Sequence, residues 1–261
     1  MITSIIRSKL FKKIIITIAS IFVLYLAALL FSSSFNNIVI LPSPNEVIKS
    51  LFSLLGTSQT YIYILNTLLS LLISLVISFA IGLILGILAG LNENIRLFLK
   101  PWITIMRCFP LAAIIILILI IAGFKATPCI VCSIVLTPII YEGISNAISN
   151  IDQHYIDSYK IESKTTFRII TKVHLPLIQS NIKAVFASSV GLGFKVLIMA
   201  EYLAGSSSSL GYAIKPAADN LNYPQVYAYC IIIVILVLII EHLPKLIINL
   251  TEHIKLKKNN Q

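Results

Sequence analysis

Charge is scarce in this chain. Asp, Glu, Lys and Arg make up 11% of its 261 residues, where a soluble domain carries roughly a quarter, so an ordinary water-soluble globule is excluded. The signatures of catalysis are missing too: there is no Gly-rich phosphate loop followed by Lys-Ser/Thr, no HExxH and no GxSxG. The four histidines, His154, His174, His242 and His253, lack the spacing of a metal site. Cysteines are few, namely Cys108, Cys129, Cys132 and Cys230. A single Cys129-x-x-Cys132 falls short of the four ligands of a zinc site, and it reads as two small apolar side chains. No repeat period, low-complexity tract or domain boundary appears, so residues 1–261 read as one domain. No catalytic residue, metal ligand or bound cofactor is expected.

What the chain has is apolar length. It is 58% hydrophobic with a mean hydropathy of +0.97, and its apolar runs reach the ~20 residues that cross a bilayer. Six spans can be read: Ile14–Phe31, Tyr61–Leu91, Trp102–Ala122, Thr127–Ala147, Lys183–Ala204 and Tyr227–Leu250. Lipid offers the backbone no hydrogen bonds, so the spans should be helices, and they are too long and uniformly apolar for barrel strands. The second is overlong. Only Gly123-Phe124-Lys125-Ala126 separates the third from the fourth.

The net charge of +10 is sorted by loop. Arg7, Lys9, Lys12 and Lys13 precede the first span, and Arg96, Lys100 and Arg107 follow the second. Lys160, Lys164, Arg168, Lys172 and Lys183 lie in the long loop and its exit, and Lys245, Lys255, Lys257 and Lys258 near the tail. The alternate loops hold little beyond Lys49, Lys125 and Lys215. This positive-inside pattern puts both termini (1–13 and 251–261) and the long loop in the cytoplasm, and it accounts for the basic balance without nucleic acid. The basic, apolar start is too long for a signal peptide and lacks a small-x-small cleavage site, so it reads as a retained span.

Several local patterns stand out. Leu41-Pro42-Ser43-Pro44-Asn45-Glu46 opens a short amphipathic segment, with Ser43 suited to cap a helix and Pro44 to its first turn. Gly82, Gly86 and Gly90 form a small-xxx-small row suited to close helix packing, within the subunit or against a second one. Pro110, Pro128 and Pro138 fall in spans three and four, where kinks either shape a pathway or adjust packing. Glu142, Lys195, Glu201 and Glu241 lie at or near membrane depth. A charge there costs about 2.5–3.5 kcal/mol, which makes each a functional candidate. Lys195 either offers charge to an anionic solute or pairs with Glu142, with the pair favoured because unpaired charge in low dielectric is costly. Glu201 reads as a brace at the outer end of its span, and Glu241 as near enough to the inner surface to reach water.

The long polar interruption, about 146–182, carries Lys160, Lys164, Arg168 and Lys172 at every fourth position. Phe167, Ile170 and Val173 fall on another face of the same expected helix, and Leu175-Pro176 closes it. A water-facing helix in a membrane protein points to a soluble partner. The competing reading lays its cations on anionic headgroups, at about 1 kcal/mol each.

Asp157-Ser158-Tyr159, then Ser163, then Leu175-Pro176 resembles the cytoplasmic Glu-Ala-Ala…Gly…Leu-Pro signature of permease subunits of binding-protein-dependent ABC importers. The spacing fits, although Asp157, Ser158, Tyr159 and Ser163 all depart from the signature residues. Leu41-Pro42-Ser43-Pro44-Asn45-Glu46-Val47 resembles the LPSPxEV opening of the nitrate/sulfonate/taurine branch. Ala200-Glu201-Tyr202-Leu203-Ala204-Gly205 with Leu210-Gly211-Tyr212 is similar to its AE-x-L-G…GLGY turn. Arg107-Cys108-Phe109-Pro110 stands where that branch carries Arg-Pro-x-Pro.

The resemblance covers about 41–250. It implies an all-α integral membrane protein of about six transmembrane helices with the type I (MetI-like) permease architecture, in a bacterial plasma membrane. It also implies a second permease subunit, as a homodimer or heterodimer, cytoplasmic ABC ATPase subunits that use the ATP, and an extracytoplasmic solute-binding protein. Ser163–Lys172 would be the coupling helix. On that reading Asp157, Ser163, Lys164, Thr165, Phe167, Arg168, Ile170, Leu175 and Pro176 form the ATPase contact, with Phe167 and Ile170 as apolar anchor and Lys164 and Arg168 as rim. Sulfonates, taurine, nitrate, bicarbonate and thiamine-precursor pyrimidines all stay open as solutes. An ion-gradient-driven transporter often shows internal repeats and matched broken helices, and an integral membrane enzyme needs clustered His, Asp or Glu at one interface. Neither pattern is present.

Overall fold

The structure, a computed structural model, describes residues 42–151 and 169–259, with side chains to residue 242. The span read at Ile14–Phe31 and the basic residues before it lie outside the described residues. The described residues form no strand. The fold is all-α, and it builds as follows: α1 Pro44–Leu55, α2 Ser58–Leu91, α3 Glu93–Cys108, α4 Leu111–Ser149, a π-helical turn Ile170–His174 running into a single turn Leu175–Leu177, α5 Gln179–Ala204, α6 Leu210–Asp219 and α7 Tyr223–Asn259. Among the described residues, four segments are long and apolar enough to cross a bilayer: α2, α4, α5 and Tyr223–His242 of α7. The chain is thus a multi-pass membrane protein. The described residues group into two compact units, one of 42–58 with 216–232, the other of 59–215 with 233–259.

In the first unit, α1 starts as its sequence indicates. The Ser43 hydroxyl accepts from the Glu46 N–H at 3.4 Å, and the Glu46 carboxylate accepts from the Ser43 N–H at 3.2 Å. This reciprocal capping box satisfies two donors that a helix start leaves unpaired, and Pro44, lacking an N–H, suits the first turn.

In the second unit, the Trp102–Ala122 span is cut in two. Residues up to Cys108 belong to α3, whose Ile95, Leu99, Ile103 and Met106 recur at helical spacing and pack with Leu85, Ala89 and Tyr141. Phe109 and Pro110 adopt extended ψ angles of 129° and 127°, which breaks the helix where proline disfavours a helical predecessor. The short turn expected between spans three and four shrinks to Gly123 alone. Its φ of 73° and ψ of 175° turn the chain within α4, a conformation open to glycine at no steric cost.

The glycine row is where α2 meets α4. A Cβ on Gly82, Gly86 or Gly90 would lie 2.8, 2.8 or 2.7 Å from the Cβ of Ile140, Ile144 or Ile148. Three successive isoleucines thus sit directly on bare glycine backbone. Further along the same contact, Ser74 Oγ lies 3.3 Å from the Cys129 carbonyl and Ser78 Oγ 3.4 Å from that of Ser133. Small residues permit this approach, and in lipid the dispersion it brings is what holds helices together. On the next helix pair, Gly143 of α4 backs onto Val185 of α5, and Gly193 of α5 onto Leu136 and Leu71.

Candidate functional site

The sequence singles out three places, and the structure treats them differently. At the polar loop, Asp157, Ser163, Lys164, Thr165, Phe167 and Arg168 lie outside the described residues. Around them, α4 ends at Ser149 with Asn150 as its cap, and the chain is described again from Ile169. Ile170 and Leu175 are half-buried, Lys172 and Pro176 exposed, and Val173 and His174 buried. The turn Ile170–His174 is π-helical. Pro176 follows at once and has no N–H for the carbonyl four residues back, so a register shift falls where the α ladder could not continue. Asn146, Asn150 and Asn181 line a groove of about 380 Å³ with Leu177 and Ile178 between the end of α4 and the start of α5. The base of the loop is therefore polar, open and shared by two spans.

At membrane depth, the charges pair differently from the expectation. Lys195 does not meet Glu142. Its Nζ lies 2.7 Å from Glu241 Oε1, while Glu142 is bound by the Arg107 guanidinium at the last turn of α3. The cause is helix rotation: Lys195 points to the exposed side of α5, away from buried Phe194, Val196 and Leu197. A hydropathy profile reports depth and is blind to azimuth.

Glu201 is a brace. It is 1% exposed, and its carboxylate accepts from the Thr67 hydroxyl at 3.0 Å and from the Gly211 N–H at 3.1 Å. Thr67 Oγ1 also accepts from the Leu210 N–H at 3.0 Å. Gly205 makes the turn after α5 in a left-handed conformation, φ 69°. Gly211 then packs onto the Ile198 carbonyl with no room for a Cβ. The Ala200–Gly205 and Leu210–Tyr212 motif is thus a clasp joining α2, α5 and α6.

Sequence reasoning missed Thr67, Gly191, Gly193 and Gly143 as packing or bracing positions. A signal existed for Gly191 and Gly193, two glycines in an apolar helix, but nothing in the chain marks which helix they face. Cys129 and Cys132 are free thiols, at 3.7 Å from the Ser70 carbonyl and 3.5 Å from that of Gly193. Among the described residues no group of His, Cys, Asp and Glu could hold a metal ion.

Residues 82–252 match the family of binding-protein-dependent transport system inner membrane components. That is well over half of the chain. The chain belongs to this family. The matched stretch holds the glycine row, the polar loop, both ion pairs at membrane depth and most of the Glu201 clasp. Among solved structures, the chain is similar to the inward-facing MetNI methionine ABC transporter in two crystal forms. One matches at 18% identity and TM-score 0.64 over 72% of this chain and 93% of that one. The other matches at 18% identity and TM-score 0.63 over 71% and 93%. At this identity the likeness is one of fold, and the fold is that of an ABC importer permease subunit. A comparison with curated protein sequences finds no match.

Proposed function

We propose that this permease moves a small organic or anionic solute inward, in step with ATP hydrolysis on separate cytoplasmic ATPase subunits that grip the 146–182 loop. The observation that carries the reading is the origin of that loop. It leaves α4 and returns into α5, and α4 is locked to α2 through three glycines. A displacement at the loop is therefore delivered to three spans together, and a rigid unit of this kind can convert a partner's two states into two helix arrangements. A ligand or partner shifts an equilibrium only by contacting its two states differently, and a loop joined to rigid spans provides such a contact. The polar groove between Asn146, Asn150 and Asn181 leaves room at its base for that movement.

In this account the subunit works as a pair in a bacterial plasma membrane with its termini and loop cytoplasmic, and a solute-binding protein delivers cargo from outside. The solute is of the sulfonate, taurine or nitrate kind. Phe167 and Ile170 anchor the ATPase, with Lys164 and Arg168 at the rim. The test is to reconstitute the chain with its ATPase and measure uptake and hydrolysis together. Phe167→Ala and Arg168→Glu are expected to lower solute moved per ATP by tenfold or more, about 1.4 kcal/mol of lost coupling, with membrane insertion intact. Transport at wild-type yield in both variants would refute the docking role.

A further inference from the structure

The seam between α2 and α4 changes character half-way along. On α2 it repeats every fourth residue: Ser70, Ser74, Ser78, Gly82, Gly86 and Gly90. The serines meet α4 at Cys129 and Ser133, and the glycines meet it from Thr137 to Ile148. Pro138 stands where one kind of contact gives way to the other.

In the serine half, the hydroxyl bonds across the seam are the long limbs of forked ones. Ser74 Oγ lies 2.7 Å from the Ser70 carbonyl of its own helix and 3.3 Å from that of Cys129. Ser78 Oγ lies 2.6 Å from the Ser74 carbonyl and 3.4 Å from that of Ser133. Ser133 Oγ lies 2.8 Å from the Cys129 carbonyl and 3.5 Å from that of Ser74. A hydroxyl has one proton, and the short limb within the helix holds it. When the helices part here, each hydroxyl keeps its acceptor. The carbonyls of Ser70, Ser74, Cys129 and Ser133 each keep a hydroxyl donor of their own helix, from Ser74, Ser78, Ser133 and Thr137. The Cys129 thiol, 3.7 Å from the Ser70 carbonyl, is a weak donor. Parting therefore strands no hydroxyl or carbonyl of this group, the cost that ordinarily holds polar helix contacts shut in lipid.

The glycine half has no such exchange. A Cβ on Gly82, Gly86 or Gly90 would also stand 3.1, 3.0 or 3.1 Å from the carbonyl oxygen of Thr137, Tyr141 or Ser145. Backbone lies on backbone, and a gap forfeits dispersion along the whole row. At the junction, Pro138 has no N–H for the Ile134 carbonyl, which weakens and kinks a helix. Ser133 and Thr137 bond back to carbonyls four residues earlier, a pattern that bends helices further.

We infer that α4 hinges at Pro138: residues 124–137 swing off the serines of α2 while 139–149 stay seated on its glycines. The hinge stands on the fold alone. Joined to the transport reading, it makes the glycine half the part that moves as one with the 146–182 loop, and the serine half the part that opens and closes.

Two added cysteines test this in the full-length chain in lipid nanodiscs. Ser78→Cys reports on the serine half from a position 0% exposed, and Ser145→Cys on the glycine half from one 2% exposed. Labelling by N-ethylmaleimide is read at each residue by mass spectrometry and divided by the rate of the same thiol in the unfolded chain. Ser78→Cys should label at least about tenfold faster than Ser145→Cys, as expected for a local opening. Pro138→Ala supplies the missing donor and should slow the Ser78→Cys thiol about fivefold, the worth of one hydrogen bond, with Ser145→Cys unmoved. Gly86→Ala, which pries the glycine half apart, should speed Ser145→Cys several-fold.

Equal rates at the two reporters, the result of global unfolding, would overturn the proposal, as would faster labelling in the glycine half. So would a Pro138→Ala substitution that leaves Ser78→Cys unmoved or slows both reporters alike, or a Gly86→Ala substitution without effect on Ser145→Cys. The comparison of the two reporters needs no proline variant, so it decides the matter even where Pro138→Ala fails to fold. Neither ATPase nor cargo is required. Failure of the transport reading shows instead as transport indifferent to Phe167→Ala and Arg168→Glu.

Discussion

Replacing Gly86 by alanine sets two effects of opposite sign against each other. Alanine in place of glycine in a helix interior is favoured by roughly 0.5–1 kcal/mol, because glycine loses more backbone freedom on folding. Against that, the new Cβ would stand 2.8 Å from Ile144 Cβ, 3.0 Å from the Tyr141 carbonyl oxygen and 3.1 Å from Ile144 Cγ2. Carbon atoms in contact sit at about 3.5–4.0 Å, so α2 and α4 must part by roughly 1 Å at this point. Neither obstacle can swing aside, since one is backbone and the other is the branch carbon of a β-branched side chain. Overpacking of this kind costs about 1–3 kcal/mol, so packing outweighs propensity and the net loss is about 1 kcal/mol.

The same separation relieves the contacts at Gly82 and Gly90, whose clearances are alike. The triple alanine variant should therefore cost clearly less than three single variants, a non-additivity expected of sites sharing one displacement. Reversible unfolding of the purified protein in mixed detergent micelles, followed by far-ultraviolet circular dichroism, measures both quantities. A Gly86→Ala protein as stable as the parent or more so would refute the reasoning, and so would strictly additive losses along the row.

Thr67→Val deprives Glu201 of a donor and the Leu210 N–H of its acceptor, and each lost bond to a buried group costs about 1–3 kcal/mol. A thermal unfolding scan should show a clear fall, and an unchanged midpoint would show the clasp to be idle. Arg107→Gln should cost no more than about 1 kcal/mol, since the pair with Glu142 is 54% and 39% exposed and open ion pairs contribute little. A loss above twice that figure in denaturant titration would contradict it. Gly205→Ala should destabilise by about 1–2 kcal/mol through its left-handed φ, while Gly205→Asn loses less. Equal losses in the two would point to a steric cause.

Much of the architecture is legible in one dimension. Helices long enough to span follow from apolar runs in a medium without hydrogen-bond partners, and α1 follows from Ser43, Pro44 and Glu46. The small-xxx-small spacing of Gly82, Gly86 and Gly90 marks a face of close approach. Hydropathy misreads the third span because it averages over Pro110, whose effect is local and steric. It misjudges the partner of Lys195 because a run of apolar residues says how deep a charge sits and nothing about the side of the helix it takes.

Composition and order along the chain by themselves determined the solvent, the helical class and the family resemblance, because each depends on distances of a few residues or on sums over a span. Which isoleucine rests on which glycine, that Glu201 is held by Thr67 and Gly211, and that Lys195 meets Glu241, 46 residues away, were decided only when the helices packed. Those facts depend on the rotation of each helix about its own axis. Rotation is fixed by the fit of whole faces against several neighbours at once, and no single segment contains that information.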